Sequence, residues 1–229
     1  MNENMTPVTI GYWDMKGSAE YPRWVASYLG IPFIAKTHNQ DWFEKGEKFL
    51  VGLDFPNLPY LIDGDYKMSE SKAIAYYIAA KANNTEILGG DLFGQAKVRQ
   101  IIDVACDINS AFQKDLWGPL KGDMVSDIKK AVTEGAIPEK IGQLSRYLGK
   151  RKVFVGQKPT LADLFVAHLN WVFSIIIRSS GSECPFRAHT NLLDHVNMVI
   201  SLPGIAEWIA KDNKCLIPAR FFPFPLLDK

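Results

Sequence analysis

The chain changes its pattern near residue 83, and that change limits the fold more than any other feature. Before it, short apolar alternations and helical periodicities take turns. Residues 8–12 read as a strand, 20–29 as a helix, 32–35 as a strand, and 42–50 as a candidate helix after a polar loop. Pro59 opens or turns into a short apolar run at 60–62 and is a candidate for a cis bond. Asp63-Gly64-Asp65 reads as a hairpin turn, and Ser69-Glu70-Ser71 precedes Ala73, Ile74, Tyr77 and Ile78 at helical spacing. The order βαβ then ββα describes a small mixed sheet with helices packed on it, for which a thioredoxin-like layout is one solution. Residues 83–94, NNTEILGGDLFG, are rich in turn formers and mark a linker. Beyond them the periodicity is helical at 95–116, 124–148, 161–177 and 189–200, with a short helix at 205–210. An α/β domain over residues 1–88 followed by an all-α bundle over 89–229 is therefore expected.

Composition narrows the function classes. The 26 Lys and Arg residues nearly balance 25 Asp and Glu, without long runs of like charge, so no nucleic-acid surface is indicated. Cys106, Cys184 and Cys215 are odd in number and widely separated, which argues against a disulfide framework or a zinc site and suits a reducing cytosol. The amino terminus lacks the charged and apolar regions of a signal peptide. The most apolar stretch, 164–177, is broken by His168, Asn170 and Ser174 and reads as a buried helix too short to cross a bilayer. Thr160 to Asp163 forms a capping box that starts this helix.

A helix opening at Ser69-Glu70-Ser71 presents unpaired N–H groups and the positive end of its dipole to a carboxylate or phosphate. Glu70 beside it suits an ammonium, so together they match the head of an α-amino acid. The main chain before Pro59 could pair like a strand with a bound peptide. An ordinary capped helix after a proline turn explains the same residues.

Three stretches together resemble the cytosolic glutathione transferases, most closely the mu class: Gly11-Tyr12-Trp13-Asp14-Met15-Lys16-Gly17, Gly52-Leu53-Asp54-Phe55-Pro56-Asn57-Leu58-Pro59-Tyr60-Leu61, and the Ser69-Glu70-Ser71 helix start. Residues 154–163, FVGQKPTLAD, look like that family's helix-start motif in the second domain. The resemblance implies a thioredoxin-like domain that binds glutathione and a helical domain that supplies a pocket for a hydrophobic electrophile. It implies that the Tyr12 hydroxyl stabilises the glutathione thiolate, and that Trp13, Trp42, Lys48, Asn57, Leu58, Pro59, Glu70 and Ser71 bind glutathione. Leu58 would offer its main chain to the cysteinyl part, Ser71 and the helix end would hold the γ-glutamyl carboxylate, and Glu70 would face the ammonium. Trp42 and Lys48 would hold the glycine carboxylate.

The resemblance also implies a homodimer keyed by Phe55, with Asp107, or Asn109 on an ungapped match, reaching the partner's glutathione. Met15, Ser18, Phe112, Trp117 and Leu227 would line the electrophile pocket. Glutathione is then a co-substrate, no cofactor or metal is needed, and the protein acts in the cytoplasm in detoxification. Departures from the mu pattern lie in the shortened stretch 33–42, in Asn39 where the family has an arginine, in two extra residues between Trp42 and Lys48, and in Ala80 where an arginine stacks at the mu two-fold axis. Alternatives within this fold are a non-catalytic carrier of glutathione or hydrophobic ligands, and a glutathione-dependent isomerase such as a prostaglandin synthase.

Overall fold

A computed structural model describes the backbone of residues 5–117 and 124–211, and the side chains of 5–113 and 125–211. Its contacts divide the chain into two units. The first runs to Thr85 and also takes in the stretch that begins at Ser201; the second begins at Glu86 and runs through Ile200.

In the first unit the elements are β1 (Val8–Trp13), α1 (Glu20–Leu29), β2 (Phe33–His38), α2 (Asp41–Glu44), α3 (Glu47–Leu50), β3 (Tyr60–Asp63), β4 (Tyr66–Ser69) and α4 (Ser71–Lys81). The four strands form one mixed sheet in the order β2-β1-β3-β4, with β1 parallel to β2 and antiparallel to β3. The expected α/β thioredoxin-like domain is the one observed. Strand β2 runs three residues further than its apolar pattern, because Lys36, Thr37 and His38 keep register with Gly11, Tyr12 and Trp13. Alternation along β1 sends Val8, Ile10 and Tyr12 to one face of the sheet and Thr9, Gly11 and Trp13 to the other. On the Gly11 side a cluster of Trp42, Leu53 and Tyr60 covers the sheet, with Trp13, Val51, Leu58 and Ile62 packed against it. The single helix expected over 42–50 is two one-turn pieces, since Gly46 sits at φ 67° between them.

The hairpin and α4 are tied by Asp63, which accepts from Lys81 Nζ and from the Tyr77 hydroxyl, each at 2.6 Å. These two bonds, Lys81 first, hold the Asp63 carboxyl below the usual carboxylate range. Helix α1 packs against α4 and against a helix of the later stretch, Pro203–Lys211. That contact is pinned by Glu20, whose carboxylate is fully buried and accepts from the indoles of Trp24 (3.0 Å) and Trp208 (2.9 Å).

The second unit contains α5 (Leu92–Trp117), α6 (Met124–Thr133), α7 (Ala136–Leu148), α8 (Leu161–Ser179) and α9 (Thr190–Ile200); the Pro203–Lys211 helix is α10. No strand occurs among its described residues, which agrees with the all-α expectation. The helix expected over 124–148 is two helices. Gly135, at φ 78° and ψ −146°, ends the first, and Pro138 falls in the first turn of the second, where its missing N–H costs nothing. The capping box is present: Asp163 accepts from the Thr160 N–H at 2.8 Å and from its hydroxyl at 2.7 Å. Starting at Leu161 and running to Ser179, α8 has 19 residues. The expectation that it is too short for a bilayer is therefore corrected. It is long and apolar enough, yet 72% of its apolar window is buried inside the protein, as in a core helix.

Candidate active site

Tyr12 lies one residue from the end of β1 and is 7% exposed. Its position depends on Gly17, which holds φ +44° at the start of a 3-10 turn. A Cβ on Gly17 would stand 2.7 Å from Tyr12 Cε1 and 2.8 Å from its Oη, so only glycine lets the phenol lie there. The Ser18 N–H then donates to Tyr12 Oη at 3.2 Å. With one lone pair occupied by that backbone donor, the phenolic hydrogen is left to donate elsewhere. The turn is anchored from below: Arg23, fully buried, donates to the Met15 carbonyl at 3.2 Å and lies 3.5 Å from Glu20.

Gly11 serves the opposite face. A Cβ there would meet the Tyr60 ring at 2.2 Å, so Tyr60 crosses β1 directly over the glycine backbone. Both glycines of the Gly11-to-Gly17 motif are thus required by aromatic rings that approach the main chain.

The proline turn and the start of α4 form one hydrogen-bonded assembly. The Leu58–Pro59 bond is cis. The Leu58 N–H donates to Asn57 Oδ1 at 2.9 Å, and Asn57 Nδ2 donates to Glu70 Oε1 at 3.2 Å. Ser69 Oγ donates to the Phe55 carbonyl at 2.7 Å. Glu70 is held at φ 76°, an uncommon value for a residue with a side chain, immediately before Ser71 opens α4. Leu58, Asn57 and Glu70 are therefore linked in sequence by hydrogen bonds at the helix start that Ser71 opens.

Trp42 is only 1% exposed. It stacks on Tyr60 (5.8 Å, 15°) and meets the edge of His38 at 4.8 Å. Trp13 is half-buried, with its ring 5.6 Å from Phe43. Lys48 Nζ lies 4.9 Å from the Phe49 ring centroid and 5.4 Å from that of Phe43. No carboxylate pairs with it among the described residues. Asn39, which stands where the resemblance has an arginine, acts locally. Its Oδ1 accepts from the Asp41 N–H at 2.7 Å and starts α2.

The remaining expected residues fall in both units. Met15 is half-buried and Ser18 exposed, both beside Tyr12 in the sequence-adjacent turn. In the helical unit Phe112 is 2% exposed, its ring 4.1 Å from Phe173, while Asp107 is paired with Lys140 at 2.7 Å. The side chain of Trp117 and all of Leu227 lie outside the described residues. Phe55 is 78% exposed on the first unit.

Sequence reasoning missed His38, Tyr60 and Phe43, which brace Trp42 and Trp13. The available signal was their residue type at the strand ends and next to Trp42; the contacts themselves join residues far apart in the chain.

The chain matches the family model for the glutathione S-transferase N-terminal domain over residues 8–80 and that for the C-terminal domain over residues 116–212. It is 34% identical to glutathione S-transferase Mu 4 of Mus musculus, over 97% of this chain and 96% of that protein. It is 38% identical to glutathione S-transferase 2 of Gallus gallus over 70% of this chain and 72% of that one. Among solved structures, rat hPGDS complexed with a quinoline superimposes with a TM-score of 0.78 at 25% identity, covering 93% of this chain and 100% of that one.

Proposed function

Because the chain belongs to the glutathione S-transferase family, we propose that Tyr12 is the residue that activates the glutathione thiol for attack on a hydrophobic electrophile. The transferase activity follows from membership of the family. The observation that supports Tyr12 is the Ser18 N–H donated to its Oη, which leaves the phenolic hydrogen free for a sulfur anion.

A free thiol with a pKa of about 8.5 is mostly protonated at neutral pH, and the thiolate is the nucleophile. Each pKa unit by which the site lowers it corresponds to about 1.4 kcal/mol of preference for the anion. Once the proton has left to solvent, the thiolate bonds to the electrophilic carbon and, with an aryl halide, halide departs. The assembly around Asn57, Leu58, Glu70 and Ser71 supplies the donors and the carboxylate that an α-amino acid head requires, at the positive end of an 11-residue helix. Leu58 must exchange its present bond to Asn57 for one to the cysteinyl carbonyl. Lys48 brings a cation without a carboxylate partner among the described residues, which suits the glycine carboxylate. Trp42, almost fully buried, serves mainly as the wall on which that end rests. Met15 and Ser18 would border the electrophile.

We further propose a cytosolic detoxification enzyme that works as a homodimer, with no cofactor beyond its co-substrate. The 78% exposure of Phe55, on a backbone fixed by Ser69, suits an aromatic key for a second copy.

The direct test compares parent and Tyr12→Phe for retention on immobilised glutathione and for conjugation of chlorodinitrobenzene. Both should be retained, and the variant should conjugate far more slowly at neutral pH. Retention without conjugation by the parent would favour a carrier, and equal conjugation by both would remove Tyr12 from its role. Sedimentation of Phe55→Ser should show dissociation to monomers; an unchanged dimer would exclude the key.

A further inference from the structure

We propose that His38 is a positioning residue for the glycine end of bound glutathione, acting through Trp42 and helix α3. The proposal rests on the glutathione reading above. His38 closes β2 and is 8% exposed. Its Nε2 lies 2.9 Å from Tyr60 Oη and its Nδ1 3.3 Å from Glu47 Oε2. The Glu47 carboxylate can only accept, so Nδ1 carries the hydrogen, and Nε2 in turn accepts from the Tyr60 hydroxyl. Three side chains from β2, β3 and α3 thus fix one neutral tautomer. Tyr60 stays protonated over the working range, since burial pushes its phenol up to about 12.

This relay holds both residues assigned to the glycine carboxylate. The His38 ring meets Trp42 edge-on at 4.8 Å, and Tyr60 stacks on the same indole at 5.8 Å. Glu47 is the first residue of α3, and Lys48 is the second. One imidazole therefore sets the position of the indole and ties down the helix that carries the ammonium. Glu47, Lys36, Tyr60 and Lys67 are the titratable groups that line the cleft beside the ring, with Thr37 and Asn39. Burial, opposed by the Glu47 hydrogen bond and assisted by Lys36, holds the imidazole below its usual pKa. The ring is neutral at pH 7 and gains a proton only in acid. Nε2 must then donate to Tyr60 Oη, the Tyr60 hydroxyl hydrogen loses its acceptor, and the support under Trp42 rearranges.

The test is steady-state kinetics with chlorodinitrobenzene for the parent, His38→Leu and His38→Gln, varying glutathione at several pH values. His38→Leu should raise KM for glutathione about tenfold, the scale of one charge-assisted hydrogen bond, with kcat and the KM of the electrophile within about twofold. His38→Gln, which keeps a polar atom towards Tyr60, should recover part of the loss. The parent's KM for glutathione should climb as pH falls below about 6.5, and His38→Leu should lack that limb. An unchanged KM in a folded variant, a fall in kcat matching that in kcat/KM, or an acid limb that persists without His38 would overturn the proposal. Should His38→Leu not fold, Glu47→Gln, altering a side chain that is 40% exposed, must still raise KM for glutathione. If the parent neither binds nor conjugates glutathione, the functional reading fails. The relay is then judged by the Trp42 indole resonance in the free protein, which must titrate with His38; an indole that does not follow it sinks the relay as well.

Discussion

Gly17→Ala isolates the packing that aims the Tyr12 hydroxyl. Two costs arise from one methyl group. The first is backbone strain: alanine at φ +44° costs about 1–2 kcal/mol relative to glycine. The second is crowding, because the new Cβ would lie 2.7 Å from Tyr12 Cε1 and 2.8 Å from Oη. Ordinary carbon contacts are about 3.5–4.0 Å, so the ring must retreat by about 1 Å. That retreat carries Oη beyond reach of the Ser18 N–H, now at 3.2 Å, and away from the sulfur. A misplacement of about 1 Å in a catalytic group can cost about a hundredfold in rate. Loss of a hydrogen bond to an anion, worth about 1.5–3 kcal/mol, raises the bound thiol pKa by about one to two units.

The two costs can be separated. Gly30 is also left-handed, at φ +66°, but a Cβ there meets nothing within 4 Å. Gly30→Ala therefore carries the strain alone. Both variants should lower Tm by about 2–8 °C, and only Gly17→Ala should lower kcat and raise the pKa of bound glutathione. The readouts are thermal melting, conjugation rate at saturating glutathione, and thiolate absorbance of the complex against pH. A folded Gly17→Ala protein with the parent's kcat and thiol pKa would refute the reasoning, because Tyr12 would then work without the position that Gly17 permits.

Asp163→Asn should destabilise the helical unit by about 3–5 kcal/mol, since the carboxylate accepts from Phe154 N–H, Thr160 N–H, the Thr160 hydroxyl and His195, and an amide cannot accept from all four. Urea denaturation followed by circular dichroism should show a lower midpoint, and an unchanged midpoint would contradict this account. Acid should weaken the first unit through Asp63. Its folded pKa lies below the ordinary value of 3.8, so its contribution is full above that value and is lost as pH falls through the folded pKa. Asp63→Asn should therefore start less stable and lose less than the parent on acidification below the ordinary carboxylate value of 3.8, as measured by thermal melts; parallel losses would show that Asp63 is not the group responsible.

Element order and fold class were legible because they rest on local periodicity, which the sequence carries directly. The alternation at β1 and the 3.6-residue rhythm of α5 or α8 need no partner to be seen. Where a continuous apolar rhythm suggested one helix over α6 and α7, two local signals outweighed it: Gly135 takes a left-handed conformation and Pro138 belongs to a first turn. Gly46 broke the 42–50 helix in the same way. The residues around Tyr12, Asn57 and Glu70 were legible as a set through the family resemblance of the stretches that carry them; Tyr12 lies near a strand end, Asn57 in the turn before the cis proline and Glu70 at a helix start. The relay beneath Trp42 was not. His38 and Tyr60 are 22 residues apart and meet only because β2 and β3 flank β1, with a glycine at position 11 letting the Tyr60 ring cross. Such a contact depends on strand order and on an absent side chain, neither of which leaves a periodic trace. The same fact explains why Trp42 looked like a ligand contact: an indole beside a loop lysine suits a carboxylate by type, but its 1% exposure makes it first a part of the wall that His38 and Tyr60 hold in place.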